Sequence, residues 1–295
     1  MTGARSDIRL LVSQITGDGR PAARPAVWAV AAQFFYKELQ VWLGYGSLVL
    51  LNFLEIGLLI GTYYFLGALV PRGRMAEYGT DYFSFVLVGL AFQHFIYEIF
   101  FATDENTRRE QAWGTVEAVL VTPTSAWKYG IGNYTCYYFY TWLYVLLVLG
   151  LGNWLLGGHV VITPGTIWAM IVISGLLVTS HVGLGLAAMG MILVNKAANP
   201  AATLFDWAER LFCGVFFPVS VLPAPLQALS QFLPLTYALR ALRNVLLAGE
   251  GLTSPVVVKD LLWLVLFTAI LMPVGMAVLA WGYRRARTLG TLGQY

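Results

Sequence analysis

Charge is what this chain has least of. Asp, Glu, Lys and Arg make up only 11% of its 295 residues, against about 25% in a soluble domain, so a water-covered globule is excluded. Cysteine is nearly absent too. Cys136 and Cys213 both sit in apolar runs, too few and too enclosed for a disulfide framework or a four-ligand metal site. Histidine is confined to His94, His159 and His181. No G-x-x-x-x-G-K-[ST] loop occurs, so the chain has no P-loop with which to bind ATP. The net charge of +3 is small and its cations are scattered, which removes the basic stripe a nucleic-acid binder needs. Residues 1–25 are polar, with Arg5, Arg9, Arg20 and Arg24 and no apolar signal-peptide core, so the N-terminus is expected to stay in the cytoplasm.

What is present is apolar. Hydrophobic residues reach 58% and mean hydropathy is +0.69, in several runs of the ~20 residues a bilayer-crossing helix needs, with no alternating barrel strands. The expected fold is all-α and polytopic. Gly17, Gly19, Pro21 and Pro25 mark residues 1–25 as a cytoplasmic lead-in. Over 26–40, Trp28, Ala31, Phe35 and Leu39 form a stripe with Gln33, Lys37 and Gln40 off it, the pattern of a helix lying in the interface. Six spans are expected, at about 41–70, 82–102, 127–156, 164–194, 201–217 and 261–283, with 157–163 a tight turn and 284–295 a cytoplasmic tail.

Between the last two spans, 218–255 is apolar but cut by Pro218, Pro223, Pro225 and Pro234 into pieces too short to cross, which predicts a re-entrant hairpin. Its second piece carries Leu235, Leu239, Leu242 and Leu246 on one face, with Arg240, Arg243 and Asn244 off it. Cations set the orientation. Those near the termini, with Arg108, Arg109, Lys128 and Lys196, outnumber Arg72, Arg74, Arg240, Arg243 and Lys259 on the other side, so both termini are expected in the cytoplasm.

Ionisable groups inside a span are costly and mark function by default. Glu55 falls in the first span without a local partner, and His94 and Glu98 lie one turn apart in the second. Asp206, Glu209 and Arg210 fall in the fifth, where Asp206 and Arg210, four apart, suit a neutralising pair. Two ligands at His94 and Glu98 are too few for a metal, and His159 and His181 read as structural. Tyr134, Tyr137, Tyr138, Tyr140, Trp142 and Tyr144 crowd one end of the third span, as an aromatic belt or as a surface for sugars or amphiphiles.

The most charged run is Asp104–Ser125. As a helix begun at Thr103 or Asp104 and stopped by Pro123, it puts Trp113, Val116 and Leu120 on one side and Glu110, Gly114 and Glu117 on another. Glu110 followed by GTVEAVLVTPTS at Gly114–Ser125 resembles the cytoplasmic segment of ABC-2 type exporter permeases, and FPVSVLPAPLQALSQFLPLTYALRALRNVLLAG resembles their last external loop. The resemblance implies a plasma-membrane permease subunit, itself no enzyme and binding no cofactor. It implies a homodimer working with two copies of an ATP-binding cassette subunit that holds ATP and Mg. Glu110, Trp113, Gly114, Thr115, Glu117, Thr122 and Pro123 would couple to that ATPase. Glu55, His94, Glu98, Tyr134, Tyr138, Pro223, Pro234, Tyr237 and Arg240 would line or gate the path of a drug, a lipid, or a lipid-linked polysaccharide or teichoic acid. Two other readings stay open. A secondary transporter would need an internal repeat, and none is convincing. An intramembrane enzyme would need a full catalytic set, of which His94 with Glu98 is the only fragment.

Overall fold

The computed structural model describes residues 26–44, 46–70, 81–101, 126–195 and 200–289. Among them the structure is helical, without strands: α1 Val27–Gly44, α2 Gly46–Leu69, α3 Tyr82–Phe101, α4 Ala126–Leu156, α5 Pro164–Asn195, α6 Pro200–Phe212, α7 Ala224–Ser230, α8 Pro234–Leu246 and α9 Pro255–Leu289, with a 3₁₀ turn at Val219–Val221. Five of the described helices hold stretches long and apolar enough to cross a membrane: Leu50–Leu69, Tyr82–Phe100, Tyr137–Leu156, Pro164–Val194 and Pro255–Ala286. The chain is a multi-pass membrane protein.

α3 is the axis. It is hydrophobic all round, as a helix buried on every side must be, and Phe85, Val86, Phe92, Phe95 and Ile96 are sealed inside. α2, α4, α5, α6 and α8 pack around it, and α1 lies on α4. α2 and α9, by contrast, turn Leu50, Leu54, Leu58, Leu262, Leu266 and Ile270 outward, as helices facing hydrocarbon do.

The tightest contact is between α5 and α9. A Cβ on Gly183 would collide with the Leu271 carbonyl, and one on Gly275 with the Gly183 carbonyl. One turn-pair further on, Gly190 meets Val278 and Leu279, and Gly282 meets the Gly190 carbonyl. Small residues are what let two helices touch backbone to backbone where lipid supplies no hydrophobic drive. Because 183 pairs with 275 and 190 with 282, the two helices run parallel. Pro273 removes one backbone hydrogen bond of α9 close to this crossing.

Short polar stitches gather one end of the bundle. His159 N–H donates to Ser84 Oγ (2.8 Å) and Val161 N–H to the Leu246 carbonyl (2.8 Å), joining the start of α3, the α4–α5 connection and the end of α8. Gly157, at φ 68°, turns the chain out of α4. α5 opens with a reciprocal cap in which Thr163 N–H donates to Thr166 Oγ1 (2.7 Å) and Thr166 N–H to Thr163 Oγ1 (3.2 Å), ahead of Pro164.

Three expectations change. The fifth span, expected over 201–217, is helical only over Pro200–Phe212, because Gly214 takes a left-handed φ of 80° and ends the helix. Thirteen residues rise about 20 Å, short of the ~30 Å hydrocarbon layer. The sixth helix starts at Pro255, inside the segment expected to be the re-entrant region, and runs through Arg284 and Arg285, so the first part of the expected tail is helix. Arg243, expected off the apolar face of α8, is buried, while Leu235, Leu239, Leu242 and Leu246 are buried as expected. The lead-in 1–25, the connection 71–80, the coupling stretch 104–125, Lys196 and residues 290–295 lie outside the described residues.

The glycine contact makes a test. Gly190→Leu must push α5 off α9, at a cost of about 1–3 kcal/mol or more, and should lower the thermal midpoint of the detergent-solubilised protein. Gly57→Leu, where a Cβ meets nothing within 4 Å, should leave the midpoint unchanged.

Candidate functional site

Polar side chains inside the bundle converge on α6. From α3, Gln93 Nε2 donates to Asp206 Oδ1 (3.2 Å), while Arg210 Nε donates to Asp206 Oδ2 (2.9 Å) and its guanidinium lies 5.3 Å from the centre of the Tyr97 ring. The Asp206–Arg210 pair expected from spacing is therefore formed, and Gln93 extends it to a second helix. On the other flank Glu209 meets His181 of α5, with Nε2 at 3.0 and 3.1 Å from its two oxygens and both side chains fully buried.

The second nitrogen of His181 is held by the backbone of its own helix. His181 Nδ1 faces the Leu177 carbonyl at 2.8 Å, an oxygen that only accepts, so Nδ1 carries hydrogen. Ser180 Oγ, which itself donates to Leu177 O (2.7 Å), lies 3.1 Å away.

Of the path residues expected in the first two spans, His94 packs on α4 and Glu98 lies beside it. The His94 ring stacks on Tyr144 at 3.6 Å and 16°, and its Nε2 lies 3.2 Å from Glu98 Oε1, within ion-pair reach but without hydrogen-bond geometry. Glu55 is exposed on α2. Among the described residues no three His, Cys, Asp or Glu side chains gather where they could hold a metal ion.

Tyr134 and Tyr138 point elsewhere. They line an apolar groove of about 600 Å³ between α4, α5 and α9, with Gly175, Thr179, Val182 and Met272. The Tyr138 hydroxyl reaches Ser174 Oγ (3.3 Å) and the Ile171 carbonyl (3.4 Å).

At the opposite end, Pro223 and Pro234 open α7 and α8. Tyr237 donates its hydroxyl to the Gln231 carbonyl (2.9 Å) and stacks on Trp263 of α9 at 5.4 Å. Arg240 grips Asp260 through Nε (3.1 and 2.9 Å to the two oxygens) and through Nη2. Its guanidinium lies 5.2 Å from the Tyr237 ring centre. Arg243 donates to the carbonyls of Phe85 (3.2 Å) and Val215 (3.3 Å) and covers the Phe85 ring at 3.5 Å. So the expected path residues divide among three places rather than one. Glu110, Trp113, Gly114, Thr115, Glu117, Thr122 and Pro123 fall outside the described residues.

Sequence reasoning passed over Gln93, Asp260 and the bond between His181 and Glu209. Asp260 was visible as an acid at the head of the last apolar run. Nothing local links positions 181 and 209.

The His181–Glu209 pair gives a second test. His181→Leu leaves Glu209 buried without its partner, a loss of about 3–5 kcal/mol. Adding Glu209→Met should restore most of it, as measured by unfolding of the purified protein in detergent.

A model of the family described as ABC-2 type transporter matches residues 26–247, from α1 through the end of α8. The linearmycin resistance permease protein LnrN of Bacillus subtilis (strain 168) is 24% identical over 149 residues, 50% of this chain and 37% of that protein. The probable multidrug ABC transporter permease YbhS of Escherichia coli (strain K12) is 28% identical over 144 residues, 48% of this chain and 37% of that protein. The matched part thus spans little more than a third of either relative.

Proposed function

This chain belongs to the ABC-2 type transporter family, and from that premise we propose that it is the membrane permease of an ATP-driven exporter for an amphipathic or lipid-linked substrate. The observation that carries the reading is the family match across 26–247. It takes in the charged stretch 104–125 and the proline-cut segment after α6, the two regions whose wording resembles the family. The relatives, a resistance permease and a probable multidrug permease, favour outward movement of amphiphiles.

The chain is a translocation subunit, and hydrolysis of ATP with Mg belongs to a separate ATP-binding subunit. Two copies of each form the working assembly. The membrane is the plasma membrane, with six crossings and both termini in the cytoplasm. The parallel run of α5 and α9 supports this plan, because the chain between them must then cross once in the opposite sense. Contacts along α6 support it as well. Phe205 packs on Phe100 near one end of α3, and Val215 O is reached by Arg243, which also bonds Phe85 O near the other end. α6 with the bend at Gly214 makes the fifth crossing, and 218–254 is a re-entrant cap.

Export then uses three parts of the chain. Glu110 and Glu117, with Gly114 between them, dock on the ATPase. The groove at Tyr134 and Tyr138 takes the apolar portion of a substrate, and Glu55 with His94 and Glu98 supplies a polar station at α4. The α6 ties transmit movement from the cytoplasmic side to the cap.

Glu110→Ala with Glu117→Ala should reduce co-purification of the ATPase or uncouple hydrolysis from export while the permease still inserts. Full association and full export would sink the docking role. Glu55→Gln should lower export with stability equal or better, since an acid in the bilayer costs about 2.5–3.5 kcal/mol on insertion scales. Normal export by that variant makes the residue incidental.

A further inference from the structure

α9 is held by different neighbours along its two halves. Over the first, Asp260 is gripped by Arg240 of α8, and the Tyr237 ring of α8 lies 5.4 Å from that of Trp263 and 5.8 Å from that of Phe267. α8 is tied in turn to α3, since Arg243 donates to the Phe85 carbonyl (3.2 Å). The second half belongs to α5, through the seam in which Gly275 and Gly282 lie against the carbonyls of Gly183 and Gly190. Pro273 stands where one hold gives way to the other.

The helix is weakened at that point in two independent ways. Pro273 has no N–H for the Ala269 carbonyl, and a proline ring clashes with the carbonyl four residues before it. One turn earlier, Thr268 Oγ1 donates back to the Leu264 carbonyl (2.9 Å), a bond that often bends helices. Packing does not account for the proline. It is exposed, as are Ile270 and Val274 beside it, so its ring fills no gap between helices. Proline is the costliest residue in a helix interior, and what it changes here is the backbone. A ring on the hydrocarbon side pushes that side of the helix apart and tilts the two halves toward the bundle. On the inner side, the turn at Leu271 bears on Gly183 backbone to backbone, with no side chain to interlock and hold the angle.

We infer that α9 is a jointed helix, with Pro273 as the hinge between a half that follows α8 and a half that follows α5. The groove at Tyr134 and Tyr138 is where such a motion is felt. Met272, next to the hinge, is the contribution of α9 to its described wall, facing α4 and the stretch of α5 from Ile171 to Val182. Turning the first half against the second carries Met272 toward or away from Tyr138, narrowing or widening the groove. An unbranched, adaptable side chain suits a wall that moves. The hinge stands on this geometry, and its use in export rests on the reading above.

The test uses the full-length permease in nanodiscs, with Cys136 and Cys213 replaced and spin labels on Leu262→Cys and Trp281→Cys, two exposed positions on either side of Pro273. They are 19 residues apart, about 28 Å along a straight helix. Labelled chains are diluted into unlabelled ones, so that only pairs within one chain are read. Pro273→Ala restores the missing N–H. The distance distribution of the parent should be about twice as broad as that of this variant, with a shorter mean. A second pair, Phe139→Cys with Leu266→Cys, reads α4 against the first half of α9, and its distribution should also sharpen in Pro273→Ala. The thermal midpoint of the variant should equal or exceed that of the parent. Equal distributions for either pair overturn the proposal, and so does a lowered midpoint, which would give the ring a packing role. Neither measurement needs an ATPase, so a permease that co-purifies with none sinks the exporter reading and leaves the hinge to be judged by its distances.

Discussion

The backbone contact between α5 and α9 is the constraint from which the rest of the bundle takes its position. Gly183 and Gly190 face Gly275 and Gly282 closely enough that no side chain fits at any of the four. In lipid, helix association gains little from apolar burial and depends on such close fit. With α5 and α9 held parallel, the connections at their ends are placed too. The α4–α5 connection hydrogen-bonds to the ends of α3 and α8, and Arg240 of α8 reaches Asp260 in the first turns of α9. Moving the glycine seam would shift the cap and the groove beside Tyr138 together, because both use residues of α9.

A second constraint acts on polar groups. Water is absent from the hydrocarbon layer, so each polar side chain there must find its partner in the protein. α6 shows how that shapes a helix that is too short to be held by apolar packing alone. Its Asp206 bonds Gln93 on α3, and its Glu209 bonds His181 on α5. Two acids one turn apart on one side of a short helix are thereby fastened to two long ones. Its remaining face, with Leu204, Trp207 and Leu211, is exposed. These bonds also give the chain after α6 a fixed origin, so the turn at Gly214 delivers the cap to a defined place against Phe85 and Gly89.

Much of this was legible in the sequence. The long apolar runs marked α2 to α5 to within about five residues, since length and composition decide them, and found α9 while cutting it short by about six residues at each end. The leucine stripe of α8 and the pair of Asp206 with Arg210 were also readable, because both are local regularities of a helix. Contacts between distant positions were not. His181 looked isolated because its partner is 28 residues away on another helix, and Arg243 looked like a surface cation because its acceptors are the carbonyls of Phe85 and Val215. Glu55, His94 and Glu98 were singled out by cost in lipid, and the stacking of His94 on Tyr144 came only from the packing of α3 on α4. The length of α6 was misjudged because the run 201–217 stays apolar past Gly214, and apolarity does not reveal where a left-handed residue will end a helix.

The glycine seam also has a history in time. Gly275 lies about ninety residues beyond Gly183, and chains are made at about 5–20 residues per second, so α5 exists for about 5–20 seconds before the helix that fits it is complete. During that interval its bare backbone face is open to lipid or to the insertion machinery. α6, α7 and α8 are all synthesised inside the same window. They can therefore meet α3 and α5, through Gln93 and His181, before the last helix arrives. The seam that fixes the finished structure is thus among the last contacts the growing chain can complete.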